Sequence, residues 1–207
     1  MALFRNADPK LLWRYILIGS LLTFVCYSVW GLLEVTFGSP DGAYEVRQGD
    51  IALKSADWDR AIEAFDEALA LSPGHSGAAM GRAIALMQSD REEEAETAFT
   101  ALIQDLSTRE TTEGRTSALA IAYANRGILR DRAARHREAL DDYLKSLETD
   151  AGAVEGPDLV DRLLYANPEP STVRKRARYL YEEFQKPAAE RRLSLPEMDA
   201  EQRMHRP

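Results

Sequence analysis

The stretch at residues 57–75, DWDRAIEAFDEALALSPGH, decides the fold, because its pattern returns twice further along the chain. Three sets of equivalent residues recur at intervals of 34 and 44 positions: Gly49, Ala83 and Gly127; Ala61, Ala95 and Ala139; Phe65, Phe99 and Tyr143. A fixed period of roughly 20 to 50 residues is the mark of a stack of repeated units. The apolar spacing within each unit is helical, so the pattern predicts an all-α protein built from helix pairs.

These residues resemble the tetratricopeptide repeat family, whose unit is two antiparallel helices. The resemblance covers about half of the chain and implies a short α-solenoid with repeats at 42–75, 76–109 and 120–153. The sequence YANRG at 123–127 is a familiar opening for the first helix of a repeat. The second repeat departs from the pattern, because Ser107 stands where the closing proline is expected. The larger interval before the third repeat is matched by the polar stretch STRETTEGRT at 107–116.

Stacking explains the recurring residue types. Small residues let the two helices of a pair approach closely, and the aromatic residues fill the space between pairs. Each pair buries its apolar face only against its neighbours, so the stack needs an end cap. We expect residues 154–187 to form this helical cap, with helices at 158–165 and 171–186, and residues 188–207 to form a polar tail with a short helix around 196–204.

The N-terminal segment 1–40 contains an apolar run with no charge, YILIGSLLTFVCYSVWGLL at 15–33. As a helix its 19 residues span roughly 28 Å, close to the hydrocarbon thickness of a bilayer. Aromatic residues that suit the membrane interface lie toward the two ends: Trp13, Tyr15, Tyr27 and Trp30. The alternatives are a buried core helix, which needs a polar stripe, and a cleaved signal peptide, whose apolar run is shorter. We predict a single, uncleaved transmembrane helix.

Basic residues around this run predict its orientation. Arg5, Lys10 and Arg14 precede it, whereas Arg47 is the one basic residue in the first 20 positions after it. Positive charge favours the cytoplasmic side. We therefore expect a single-pass protein of a bacterial inner membrane, with a cytoplasmic N-terminus and the repeats in the periplasm.

Composition excludes several kinds of function. A net charge of −8 and a pI near 5.0 argue against nucleic acid as a partner, because phosphate binding needs basic surface. One cysteine excludes a disulfide framework. The three histidines, His75, His136 and His205, lie far apart and none stands beside a nucleophile motif. The prediction is a protein that is not an enzyme, with no cofactor, no metal and no small-molecule substrate.

The resemblance implies a groove, lined by the first helix of each repeat, that binds a partner protein. The residues that match its positions are Arg47, Asp50, Lys54, Met80, Ile84, Met87, Asn125, Ile128 and Arg132. Its apolar, methionine-rich middle suits an adaptable hydrophobic ligand. Alternatively these residues face further capping helices. Some family members grip a C-terminal carboxylate there, and Arg47 and Asn125 match that clamp, but its other basic residues are missing.

A second candidate surface is a cluster of five arginines, Arg126, Arg130, Arg132, Arg135 and Arg137. It suits an acidic partner or anionic lipid headgroups, or it is merely solvated. The two functions that fit the whole pattern are a membrane-anchored scaffold that aids assembly or stability of a membrane or periplasmic complex, and a permanent accessory subunit of a membrane energy-transducing complex. In both, the partners are proteins and the lipid bilayer.

Overall fold

The structure, a computed structural model, describes residues 9–37, 41–110, 112–155 and 173–196. It divides into two compact units, Met1–Ala43 and Tyr44–Pro207. Every regular element in the described residues is helical, which confirms the predicted all-α class. The expected helix at 158–165, residues 171–172 of the helix expected at 171–186, and all but the first residue of the short helix expected around 196–204 lie outside the described residues.

The first unit contains one long helix, α1, Pro9–Phe37. Its stretch Trp13–Gly31 is long and apolar enough to cross a membrane by length and composition, and none of it is buried. This stretch begins two residues before the start of the predicted run at 15–33 and ends two residues before the end of that run. An apolar helix that buries nothing has its side chains available to lipid, or to other helices.

Three helix pairs follow in the chain and, apart from Ala43, belong to the second unit. Their members are α2 (Ala43–Lys54) with α3 (Trp58–Leu71), α4 (Ser76–Gln88) with α5 (Glu92–Thr108), and α6 (Glu113–Arg132) with α7 (His136–Asp150). Neighbouring pairs pack through α3 on α4 and α5 on α6, so one apolar core runs through the stack. The polar stretch 107–116 is mostly helical, because α5 and α6 are lengthened and only residues 109–112 connect them.

Glycine–aromatic contacts hold the helix pairs together, as the repeat pattern predicts. The fully buried ring of Phe65 lies against Gly49, where an added Cβ would come within 2.6 Å of it. The ring of Tyr143 lies against Gly127 in the same way, at 2.8 Å. The structure adds Gly81 of α4, which also touches the tip of the Phe65 ring. Larger side chains at these positions would push the helices apart.

The turn inside each pair has the same unusual backbone. Ala56, Asp90 and Ala134 adopt positive φ angles of 58°, 59° and 59°. In each case the next amide donates back to the last turn of the preceding helix, for example Arg91 N to Leu86 O at 3.0 Å. Glycine is the usual residue at this left-handed position after a helix. Here the position recurs in every helix pair, and alanine or aspartate occupies it.

The C-terminal cap contains α8, Val173–Gln185, which packs on α7. Short 3-10 turns lie at Gly152–Val154 and Ala188–Glu190. Helix α8 buries Val173, Ala177 and Leu180 at helical spacing. This apolar face closes the end of the core after the third helix pair.

Candidate protein-binding surface

The predicted groove residues divide into two groups by accessibility. Arg47, Lys54 and Arg132 are exposed and Asp50 is half-buried. The other five are core residues with exposures of 5% or less: Met80, Ile84, Met87, Asn125 and Ile128. The apolar middle of the predicted groove is therefore interior to the second unit in this structure.

The position of α4 explains why these five residues are buried. Helices α3, α5 and α6 all pack on α4, which leaves little of its circumference open. The amide Nδ2 of Asn125 on α6 lies 3.7 Å from the sulfur of Met80 on α4, so the two helices meet at these side chains. Met80 and Asn125 thus join two repeats to each other. In this structure they do not offer a surface to a ligand.

Helix α2 carries the most exposed part of the predicted groove. Tyr44 and Ile51 are 67% and 54% exposed, unusual for large apolar side chains. Arg47 and Lys54 lie between and beyond them. At about 100° per residue the four side chains fall within roughly 80° of the helix circumference. Gly49, on the opposite side, and Ala52, about 80° beyond Tyr44, are buried. We call these four residues the α2 stripe.

A separate pocket of about 290 Å³ lies where α3, α4 and α5 meet. Its floor is apolar, formed by Leu69, Leu102 and three alanines, Ala79, Ala98 and Ala101. Arg82 and Asp105 stand at its polar side. A second arginine, Arg109, bonds Asp105 at 2.6 Å and the Gly74 carbonyl at 3.2 Å. The pocket has the size and polarity to take one apolar side chain from another molecule.

Histidine 75, at the edge of this pocket, has a structural role. Its Nδ1 accepts a hydrogen bond from the backbone amide of Ala78 at 3.2 Å, so the imidazole caps the start of α4. This satisfies one of the amides that every helix start leaves open. The described part of the chain holds no group of three or more His, Cys, Asp or Glu residues arranged for a metal ion.

The predicted arginine surface is largely internal. Arg126 binds the buried carboxylate of Asp142 through two nitrogens at 2.7 and 2.9 Å, and Arg130 joins the same carboxylate at 3.0 Å. Arg130 and Arg135 both bond Glu96. Of the five arginines, Arg132 and Arg137 remain exposed. Three of the five therefore connect α5, α6 and α7 to one another.

These ion pairs shift the proton affinities of their members. Burial alone would lower the pKa of the Arg126 guanidinium, but the hydrogen bonds that it donates to Asp142, together with the electrostatic attraction of that carboxylate and its neighbours, outweigh burial and raise the pKa. The hydrogen bond from Arg135, helped by that from Arg130, lowers the pKa of Glu96 below its usual 4.5. Both groups are held in their charged forms, as a structural ion pair requires.

A buried carboxylate, Asp131, joins the cap to the third repeat. Both of its oxygens accept from Arg176 of α8, at 2.6 and 2.9 Å. His136 Nδ1 lies 2.8 Å from one oxygen, and the Tyr143 hydroxyl lies 3.2 Å from the other. Arg176 also donates to the Leu193 carbonyl at 3.0 Å. The sequence does not predict this contact, because an arginine on the basic side of α8 gives no sign that it is buried.

One of the missed pairs does have a signal in the sequence. Arg126 and Asp142 each stand one position before the members of a predicted contact, Gly127 and Tyr143. Because Gly127 and Tyr143 face each other across a helix pair, the residues just before them are neighbours of opposite charge. The same reasoning finds no partner for Arg176, because the carboxylate that binds it, Asp131, is 45 positions away in the sequence.

In the first unit, the four predicted interfacial aromatics are all exposed on α1. Trp13, Tyr15, Tyr27 and Trp30 have 64%, 66%, 82% and 70% of their surface accessible. Cys26, the one cysteine of the chain, is also exposed there. An exposed aromatic at each end of an apolar stretch is the arrangement that membrane helices use at the two interfaces.

Part of the chain matches a known protein family. Residues 46–109 match the tetratricopeptide repeat family model. Among solved structures, the chain is similar to a tetratricopeptide repeat domain of Arabidopsis OM64, with 18% identity and a TM-score of 0.47, over 67% of this chain and 94% of that one. No curated protein matches the sequence.

Proposed function

Since residues 46–109 match the tetratricopeptide repeat family model, we propose that the chain is a membrane-anchored scaffold that binds a partner protein and aids the assembly or stability of a complex in or at a membrane. Repeats of this family are interaction modules. The observation that carries the membrane part is α1, whose 19-residue apolar stretch is long enough to cross a bilayer and buries none of its side chains. A tether of this kind raises the concentration of the repeats near membrane proteins, so modest affinity suffices.

Partner binding is proposed at the accessible features of the repeats. The apolar pocket between α3, α4 and α5 takes a partner side chain, and the Arg82 and Asp105 charges beside it orient the contact. Replacing Ala101, which lines the pocket and is exposed, by tryptophan fills the pocket without disturbing the core. The matched control is tryptophan at Gln104, which is exposed on the same helix outside the pocket lining. Capture of the partner should fall with Ala101→Trp and persist with Gln104→Trp.

The experiment that tests the function is a pull-down of the full chain in mild detergent with measured stoichiometry. Sub-stoichiometric capture of incomplete complexes supports an assembly factor. A fixed ratio to one mature complex instead supports the second function, a permanent accessory subunit of a membrane energy-transducing complex, which the aromatic-rich α1 favours because such a helix packs well against other spans.

Anchoring and orientation are tested separately. A spanning helix keeps the chain in the membrane through alkaline carbonate washing. In the proposed topology, with the repeats in the periplasm of a bacterium, protease added to intact spheroplasts degrades residues 41–207. Protection of this segment would reverse the orientation, and release by carbonate would remove the anchor from the proposal.

A further inference from the structure

We propose that the α2 stripe is a lipid-binding surface that lies on the headgroups of an anionic membrane; this rests on the proposed membrane anchor. The stripe combines a tyrosine and an isoleucine, 67% and 54% exposed, with one arginine and one lysine. A helix face with these residue types is suited to a membrane interface, where the apolar side chains enter the headgroup layer and the cations remain on its surface.

The charges of the stripe are available for such a contact. In the described part of the chain neither Arg47 nor Lys54 forms an ion pair, whereas Arg126, Arg130 and Arg176 are occupied by carboxylates. The nearest acidic residue of α2, Asp50, lies about 40° around the helix from Lys54 and is half-buried. Each basic residue near an anionic surface raises the equilibrium constant for docking roughly fivefold.

The covalent chain favours a lipid surface as the occupant. Helix α1 ends at Phe37 and α2 begins at Ala43, so only residues 38–42 separate the apolar helix from the stripe helix. Five residues are about 17 Å long when fully extended. A short tether of this kind keeps the local concentration of lipid at α2 high, so a small apolar contact with two cations is sufficient.

The stripe is also distinct from the faces that α2 uses internally. Gly49, on the far side of the helix from Tyr44 and Ile51, lies against the Phe65 ring. Ala52, about 80° around the helix from Tyr44, is 3% exposed. The stripe can therefore contact lipid without any change in the packing of the first repeat. The alternative occupants are a second copy of the chain, which would shield the stripe in the experiment below, and a partner protein, which is absent from the vesicles and would leave the stripe uncovered.

The test uses the full chain reconstituted in vesicles and a fluorophore that a nitroxide on the lipid headgroup quenches. The fluorophore is attached to Ile51→Cys, or to Leu144→Cys as a matched control on α7 that is also exposed (39%), each combined with Cys26→Ser. In vesicles that contain phosphatidylglycerol, the label at 51 should be quenched several-fold more than the label at 144. Arg47→Gln with Lys54→Gln, or vesicles of phosphatidylcholine alone, should reduce the docked-to-undocked ratio by up to about 30-fold.

Labelling the native Cys26 separates the two proposals. Equal quenching at 51 and 144, while Cys26 is still quenched by a nitroxide deep in the acyl chains, overturns the lipid contact and leaves the anchor in place. If Cys26 escapes the deep nitroxide, the anchor is wrong and the lipid contact with it. If the label at 51 is shielded from both the headgroup nitroxide and aqueous iodide, protein covers the stripe, which also overturns the proposal.

Discussion

The contact between Gly49 and Phe65 gives a prediction of definite sign. In an ordinary helix, Gly→Ala stabilises by about 1 kcal/mol, because alanine has the better helix propensity. At Gly49 the new Cβ would lie 2.6 Å from the Phe65 ring, whereas ordinary contact begins at 3.4 Å. The ring is fully buried and its tip also touches Gly81, so it has little room to retreat. Overpacking of this kind costs about 1–3 kcal/mol. We expect Gly49→Ala to destabilise the repeats by about 1 kcal/mol net.

The assay is denaturant unfolding of the full chain in mild detergent, followed by Trp58 fluorescence after Trp13 and Trp30 are replaced by phenylalanine. Gly114 is the control, since a Cβ there meets nothing within 4 Å, and Gly114→Ala should stabilise by about 0.5 kcal/mol. In a Phe65→Leu background the penalty at Gly49 should disappear. If Gly49→Ala stabilises the wild-type chain as Gly114→Ala does, the close-approach explanation is refuted.

Three further predictions concern the buried residues and their charges. Met80→Glu places a carboxylate at a site 1% exposed and should unfold the second helix pair, seen as lost helical circular dichroism, whereas Arg132→Glu on the exposed side of α6 should leave the spectrum unchanged. Arg176→Met leaves Asp131 without its main partner and should cost about 3–5 kcal/mol; amide hydrogen exchange of α8 should rise more than that of α4, and uniform protection would contradict the role of Asp131 as the link to the cap. Because the folded pKa of Glu96 is lowered, its ion pairs stabilise the protein above pH 4.5, the usual value, and this stability is lost as pH falls through the folded pKa. Denaturation midpoints of Glu96→Gln should therefore fall less steeply below pH 4.5 than those of the wild type.

The repeat period of the sequence predicts the backbone architecture well, because this architecture depends on contacts that recur in each repeat. The intervals between Phe65, Phe99 and Tyr143 locate the helix pairs, and the small residues opposite them locate the close approaches. The apolar spacing of α8 likewise predicts a cap on α7. These features depend on residue size and spacing, which a sequence states directly.

Accessibility was harder to predict, since it depends on how many neighbours surround a helix. Met80 and Met87 have the position of groove residues, but α4 is the central first helix and is covered by three others. The arginines around residue 130 look like a basic surface in the sequence, because their partners, Glu96 and Asp142, lie on other helices. Charge in a linear sequence does not reveal whether it is neutralised across a helix pair.

The three left-handed turns at Ala56, Asp90 and Ala134 make the strength of the stack adjustable one repeat at a time. A non-glycine residue in this backbone region costs about 1–2 kcal/mol, and each turn closes a different helix pair. Glycine at any one of them would remove that cost without touching the core, the α2 stripe or the cap. In a stack where each unit interacts with its nearest neighbours, such a change acts mainly on its own repeat and the adjoining ones. The order in which the repeats open under heat or force is therefore open to redesign through three single turn residues.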